Sequence, residues 1–303
     1  MNEELFAEWF RRRGHSVVKT PSSYWCSLGP RVFQAIPFCW TINPTESELR
    51  YILFRHAGIG LRYSAPATFR KGVVSYNVIC DSSAYDIGSL PRSTRQNVKK
   101  GLAHCAIAPI SFARLAIDGW HLHLDTLRRQ NRRDFLTKET WERSCHAAED
   151  LPGFEAWGAL LGGKLAAVIL LVRVNDWIIL LSQQSLTACL HAKPNHALVY
   201  RLTKDLLARE NTRAIFYSLK SLDAPARVDD FKFRMGYRKI AVKQCVLFHP
   251  LVSPLINDHT LSGLQGFQRR YPSNPWLAKA EGLVRLSVKG DNAEAMIGRP
   301  SQL

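Results

Sequence analysis

Three nearly continuous apolar runs, Ala156–Leu161, Leu165–Arg173 and Trp177–Gln183, are separated only by Gly162-Gly163-Lys164 and Val174-Asn175-Asp176. Each run is too short for a helix of ordinary length, and both breaks are close to the hairpin signature. Apolar residues without alternation predict strands covered on both faces, at the centre of a sheet flanked by other elements. Lys164, Arg173, Asn175 and Asp176 interrupt the stretch from Trp157 to Leu186, so it does not read as a membrane span. A buried meander is thus the fixed point around which the remaining segments must be arranged.

Upstream, Leu5, Phe6, Trp9 and Phe10 recur at helical spacing and are closed by Gly14. From 15 to 90 the pattern turns strand-like and broken: Val17-Val18, Arg31 to Ile36, Tyr51 to Phe54 and Val73 to Ile79 are short runs, and Pro21, Pro30, Pro37 and Pro44 punctuate the region. Pro91 opens a basic helix from Arg92 to Leu102, expected to stop near Gly101. Helices follow over 120–133 and 138–149, the second capped by Thr137. After the meander, Pro194 and Asn195 open a helix to about Glu210 with Leu198, Leu202 and Leu206 on one stripe. A strand (214–219), a short helix (226–235) ending at Gly236 and a long strand (238–248) come next. The remainder is amphipathic, with a frayed tail. The expected layout is an amino-terminal α/β subdomain (1–85), a central domain (86–250) and a helical extension (251–303).

Among 303 residues, 41 are Lys or Arg and 25 Asp or Glu, a formal charge of +16. Such a surplus favours polyanionic partners: nucleic acid, anionic lipid or a phosphate-bearing substrate. Seven scattered cysteines without a C-x-x-C pair fit neither a disulfide framework nor a zinc site, and no signal peptide reads at the amino terminus. A cytoplasmic protein without a metal is expected.

The order helix, meander, then β-α-β-α-β resembles the GNAT acyltransferase superfamily. Two segments sharpen the likeness toward its FemAB-like branch: Tyr85 to Leu102 (YDIGSLPRSTRQNVKKGL), a basic helix preceding the acyltransferase core, and Asp229 to Lys239 (DDFKFRMGYRK), similar to the branch's Phe-Lys-x-x-Phe-Gly signature with Met235 at its usual aromatic position. The likeness covers residues 75 to 250. It implies an α/β (α+β) fold with a mixed sheet flanked by helices. The implied activity is N-acyl transfer from a thioester donor, acyl-CoA first, to an amine that is a small molecule or carries phosphate. The glycine-rich turn that binds pyrophosphate in ordinary acetyl-CoA enzymes is replaced here by Lys193-Pro194-Asn195-His196-Ala197, as the FemAB-like branch would have it. Aminoacyl-tRNA is the alternative donor, although no long heptad insertion is present. A non-catalytic module holding RNA or another polyanion is the rival of a different class.

Acyl transfer needs a neutral nucleophile, stabilisation of an oxyanion and a proton path. The resemblance assigns the signature Lys232 the charge-stabilising role, against the plainer reading of a solvated lysine. Asp223 is the candidate proton acceptor, or else a helix cap. Arg92, Arg95 and Lys99, with Lys100, lie at i, i+3, i+7 and i+8 and form a phosphate or acceptor clamp, or simply a solvated basic face. Gln183, Gln184 and Ser218, at strand ends, are substrate-binding candidates where a carbonyl could meet polar groups, although buried amides also cap strand ends for structural reasons. Asn195, His196, Tyr200 and Phe231 are donor-side candidates, with Asn195 also readable as the cap of its helix.

Overall fold

A computed structural model of the chain describes residues 2–131, 136–220, 229–272 and 274–297, the side chains of the last segment to 290. Its elements run α1 (Glu3–Arg12), β1 (Val17–Lys19), β2 (Tyr24–Gly29), β3 (Val32–Ile36), α2 (Glu46–Arg50), β4 (Gly60–Pro66), β5 (Val73–Cys80), α3 (Arg92–His104), β6 (Cys105–Ile110) and α4 (Phe112–Arg129). They continue α5 (Lys138–Glu149), β7 (Phe154–Leu161), β8 (Lys164–Val174), β9 (Trp177–Ser185), α6 (Pro194–Leu207), β10 (Ala214–Leu219), α7 (Asp230–Arg234), β11 (Arg238–Phe248), α8 (Asp258–Arg270) and α9 (Pro275–Ile297). The chain divides into two compact units that do not follow chain order. Unit 1 gathers 2–13, 78–218 and 229–239; unit 2 gathers 14–77, 219–220 and 240–297.

Unit 1 holds the meander. Its strands lie in the order β10-β9-β8-β7-β6, with β10 parallel to β9 and the other neighbours antiparallel. Gly162 and Gly163, both at positive φ, make the two-residue turn between β7 and β8, where Leu161 pairs with Lys164. Asn175, also at positive φ, serves the β8–β9 turn, where Val174 pairs with Trp177. From Leu165 to Val172 every residue of β8 is buried, the consequence of the uninterrupted apolar run. Helix α6 packs on β6 to β9 with Ala197, Leu198, Leu202 and Leu206 inward, and α4 packs on β8 and β9. Helix α1 buries Phe6, Trp9 and Phe10; the Trp9 indole donates to the Ser144 carbonyl (3.1 Å) and lies 5.3 Å from the Phe154 ring.

Two expectations need correction in unit 1, and one strand escaped the sequence reading. The basic helix does not stop at Gly101 but runs to His104, because Gly101 is where α3 meets α6. A Cβ there would lie 2.6 Å from the Lys193 carbonyl oxygen and 2.8 Å from the Ala197 Cβ. Helix α4 begins at Phe112 rather than near 120, capped by Ser111, whose Oγ accepts from the Arg114 N–H (3.1 Å). Before it, Cys105–Ile110 forms an edge strand, which Pro109 concealed; proline is tolerated at an edge, where an N–H can go unpaired. The Thr137 cap of α5 is as expected, accepting from the Thr140 N–H (3.2 Å).

Unit 2 is built on β1-β2-β3-β4-β11, with β3 parallel to β4 and the other pairs antiparallel. Trp25, Phe33, Ile52, Leu53, Leu61 and Tyr63 form its core. Glu48 closes a capping box at the start of α2 and also accepts from the Ser22 N–H (2.8 Å). Burial alone would raise its pKa, but the Thr45 and Ser22 amides reverse that and bring it down to about 2. The run Tyr51–Phe54, read as a short strand, is a helical turn continuing α2. Ile52 and Leu53 are buried side by side while Tyr51 and Phe54 face out, a pattern that alternation cannot give.

Candidate active site

Strands β9 and β10 pair as parallel neighbours over only three positions, Trp177–Ile179 against Ala214–Phe216, although β9 runs on to Ser185 and β10 to Leu219. A β-bulge explains the parting. Leu170 pairs with Ser182 and Leu171 with Leu180, so Leu181 is an extra residue in β9 without a partner on β8. A bulge bends its strand and increases the twist, and here it falls two residues beyond Ile179, the last residue paired to β10. Burial changes at the same place. Ile178, Ile179 and Leu180 are buried, while Leu181, Ser182 and Gln183 are partly exposed; on β10, Phe216 is buried and Tyr217, Ser218 and Leu219 are partly exposed. The two strand ends therefore border an opening between them.

Polar side chains are linked along that opening. The Lys232 ammonium donates to Ser218 Oγ (2.6 Å) and to the Asp229 carboxylate (2.6 Å), and lies 5.1 Å from the centre of the Tyr217 ring. Asp229 is buried and the Lys232 side chain only 13% exposed, so this ion pair is largely withdrawn from water. The Tyr217 hydroxyl donates to Gln183 Oε1; Gln183 Nε2 donates to Asn195 Oδ1 (3.0 Å); Asn195 Nδ2 donates to Ser185 Oγ (3.0 Å). Arg129 of α4 completes the chain, donating to Ser185 Oγ (3.0 Å) and to the Ser185 carbonyl (2.9 Å). Burial holds the Tyr217 phenol well above its usual pKa, so it is a neutral donor at pH 7. His196 is driven the other way, to about 4, by burial first and then by the Lys193 and Arg234 charges. It is a neutral imidazole, edge-on to Phe231 at 5.1 Å.

The local sequence explains why these groups meet. Tyr217 and Ser218 occupy the end of β10, and Lys232 sits on α7, a single helical turn ended by Gly236 at positive φ. A side chain at 236 would press on the Tyr85 ring (2.9 Å), and the Tyr85 hydroxyl donates to the Met235 carbonyl (2.9 Å). The signature's Met-Gly pair thereby anchors α7 against the segment that precedes α3.

Of the residues singled out from the sequence, the fold joins Lys232 to Ser218, Gln183 to Asn195 and His196 to Phe231. Asn195 is not its helix's cap: Lys193, in the left-handed region, holds that position and frees the Asn195 amide for the network. Gln184 is buried, and among the described residues its Oε1 has no partner. Tyr200 lies apart from the network, its hydroxyl 3.5 Å from Asp86 and its ring 5.9 Å from Tyr85. Helix α3 buries Thr94, Val98 and Gly101, which leaves Arg92 and Lys99 exposed and Arg95 half-buried, none of them hydrogen-bonded to the described part of the network. Asp223 lies outside the described residues. Sequence reasoning missed Tyr217, Asp229 and Arg129. The signal for Tyr217 was its place one residue before Ser218, where the apolar run of β10 turns polar.

No protein-family model matches the chain, and no curated protein is similar to it in sequence. Solved structures are. The C-terminal DUF2156 domain of a putative lysylphosphatidylglycerol synthetase from Agrobacterium fabrum superposes with a TM-score of 0.55 at 10% identity, over 81% of this chain and 88% of that one. FemX gives 0.54 at 11% identity, over 82% and 92%. The chain has a GNAT-like fold of the FemAB type. L-PGS from Bacillus licheniformis shares this FemAB-type fold, with a TM-score of 0.54 at 8% identity over 80% and 86%.

Proposed function

We propose that the protein is an acyltransferase that moves an activated aminoacyl group onto an amine at the opening between β9 and β10. The observation that carries this reading is the parted strand pair, with a bulge on one strand and a withdrawn lysine beside the other. Transfer forms a C–N bond as the acceptor nitrogen attacks the donor carbonyl, and breaks the bond to the leaving oxygen, which takes up the proton lost by nitrogen. The carbonyl oxygen gains negative charge on the way. The Lys232 ammonium, beside the end of β10, is a donor that can stabilise it. Asp229 and Ser218 hold the ammonium in place, which makes them positioning residues.

The start of α6 supports aminoacyl-tRNA over acyl-CoA as the donor. Pro194 has no N–H, and the amides of His196 and Ala197 already donate to the Lys193 carbonyl (3.1 and 3.3 Å), against which Gly101 packs. Little remains there to hold a pyrophosphate. The exposed Arg92, Lys99 and Lys100, with +16 over the whole chain, suit an RNA-borne donor better. The fold shared with FemX and with a lysylphosphatidylglycerol synthetase domain supports the aminoacyl class.

The test offers charged tRNA and acyl-CoA separately with a panel of amines. Acceptor-dependent loss of the aminoacyl ester is expected, with coenzyme A giving no thermal protection. Transfer from acyl-CoA alone would overturn the choice of donor. Consumption of neither donor, alongside RNA binding that weakens steeply with salt, would replace the enzyme by a polyanion-binding module.

A further inference from the structure

Unit 2 carries a surface that acyl transfer leaves unused. Tyr51 and Phe54 stand out from the helical turn after α2, and Ile59 from the loop that follows. His249, at the end of β11, joins them: its ring lies 4.7 Å from the Phe54 ring, its N–H donates to the Ile59 carbonyl (3.0 Å), and its Nδ1 accepts from the Leu251 N–H (3.2 Å). Leu251 is 82% exposed and Phe54 56%, so these side chains protrude rather than line a hollow. Arginines border them. Arg50 and Arg55 are exposed on the same turn, and exposed Arg31 accepts the Ile59 N–H at its carbonyl (2.8 Å). Among the described residues the carboxylate that pairs with these arginines is Glu46, 3.9 Å from Arg50.

We propose that this face docks on the surface of an anionic phospholipid membrane. Protruding Phe and Leu side chains lose water on entering the boundary between headgroups and acyl chains, Tyr is at home in that boundary, and arginines pair with lipid phosphates. RNA would engage the arginines and gain nothing from Leu251 or Ile59. An acidic protein would need a matching hollow for side chains that stand this far out. No described helix is long and apolar enough to cross a membrane. The proposal does not depend on the acyl-transfer reading, since docking is measured without donor or acceptor.

Co-sedimentation of the full chain with vesicles tests it, comparing pure phosphatidylcholine with phosphatidylcholine containing about one-third phosphatidylglycerol. Binding to the second alone is expected. The paired changes Phe54→Ser/Leu251→Ser and Arg50→Gln/Arg55→Gln should each weaken it by about tenfold or more, with melting temperature unchanged. Lys138→Gln/Arg143→Gln, which removes the same charge from α5, should leave it intact. Equal loss with that control, or undiminished binding by the Phe54/Leu251 pair, overturns the proposal. Absence of vesicle binding together with self-association that the patch variants abolish would make the occupant a second copy, and equally overturn it.

Discussion

Units 1 and 2 are both mixed sheets with helices, yet they treat apolar surface differently. Of the thirteen exposed large apolar side chains among the described residues, Leu102, Ile117 and Leu124 belong to unit 1 and the other ten to unit 2. Unit 1 spends its polar groups on fixed geometry. Lys232, Tyr217, Gln183, Asn195, Ser185 and Arg129 are each held by hydrogen bonds at or near the open strand pair. Unit 2 fixes polar groups at the Glu48 capping box and at Gln244, which bonds Arg62 and Ser64, yet leaves Tyr51, Phe54 and Leu251 out in solvent. Holding a reactive centre needs side chains with one permitted position; meeting another surface needs side chains that give up water on contact.

The sharpest way to break this contrast is at Lys232. Lys232→Met should lower the rate of acyl transfer by about a hundredfold or more, in line with loss of an oxyanion donor. Because the change breaks a largely buried ion pair with Asp229, it should also cost about 3 kcal/mol of stability. Lys232→Met/Asp229→Leu should recover most of that stability in urea melts and none of the rate. Recovered turnover in the double variant would demote the lysine to a structural group.

Glu48→Gln probes unit 2. The Glu48 pKa is near 2 in the fold against 4.5 for a free side chain, so its charge contributes about 3 kcal/mol at pH 7. That contribution is present above pH 4.5 and lost as pH falls through about 2. The variant should melt lower at neutral pH, converge with the parent under strong acid, and transfer at an unchanged rate at low temperature. A matching fall in rate would erase the distinction between the units.

Smaller effects refine the network. Tyr217→Phe removes the hydroxyl bonded to Gln183 and should slow turnover by about tenfold through misplacement, with a stability loss of about 1 kcal/mol. His196 should show almost nothing near neutrality. With its pKa lowered to about 4, its NMR signals should stay constant from pH 8 to about 6 and move only in acid. Its sign follows: stability is full above pH 6.5 and declines as pH falls from there toward 4.

The meander, the stripe of α6, the Gly236 cap and the last long strand were legible because each depends on local pattern: apolar continuity, helical spacing, or a glycine where φ is positive. The failures depend on neighbours far along the chain. Tyr51–Phe54 looks like a strand until the core claims Ile52 and Leu53 together. Gly101 looks like a stop until Lys193, ninety-two positions later, is packed on it. Lys232 and Ser218 were singled out by motif and strand end, and the fold joins their side chains. Tyr217 was hidden because an aromatic in an apolar run reads as core, and the Leu181 bulge leaves no mark in WIILLSQQS at all.

The interleaving of the two units bears on how the chain matures on the ribosome. Trp9 docks on Ser144, and α7 contributes Lys232 to the same unit only after residue 229 has been made. Unit 2 in turn waits for β11, which pairs with β4 along Gly60–Pro66. Neither unit can close early while its sister is still being translated, as consecutive domains usually do. Nascent strands with unpaired edges must therefore persist until β11 has been made, and slow codons ahead of it would lengthen that exposure.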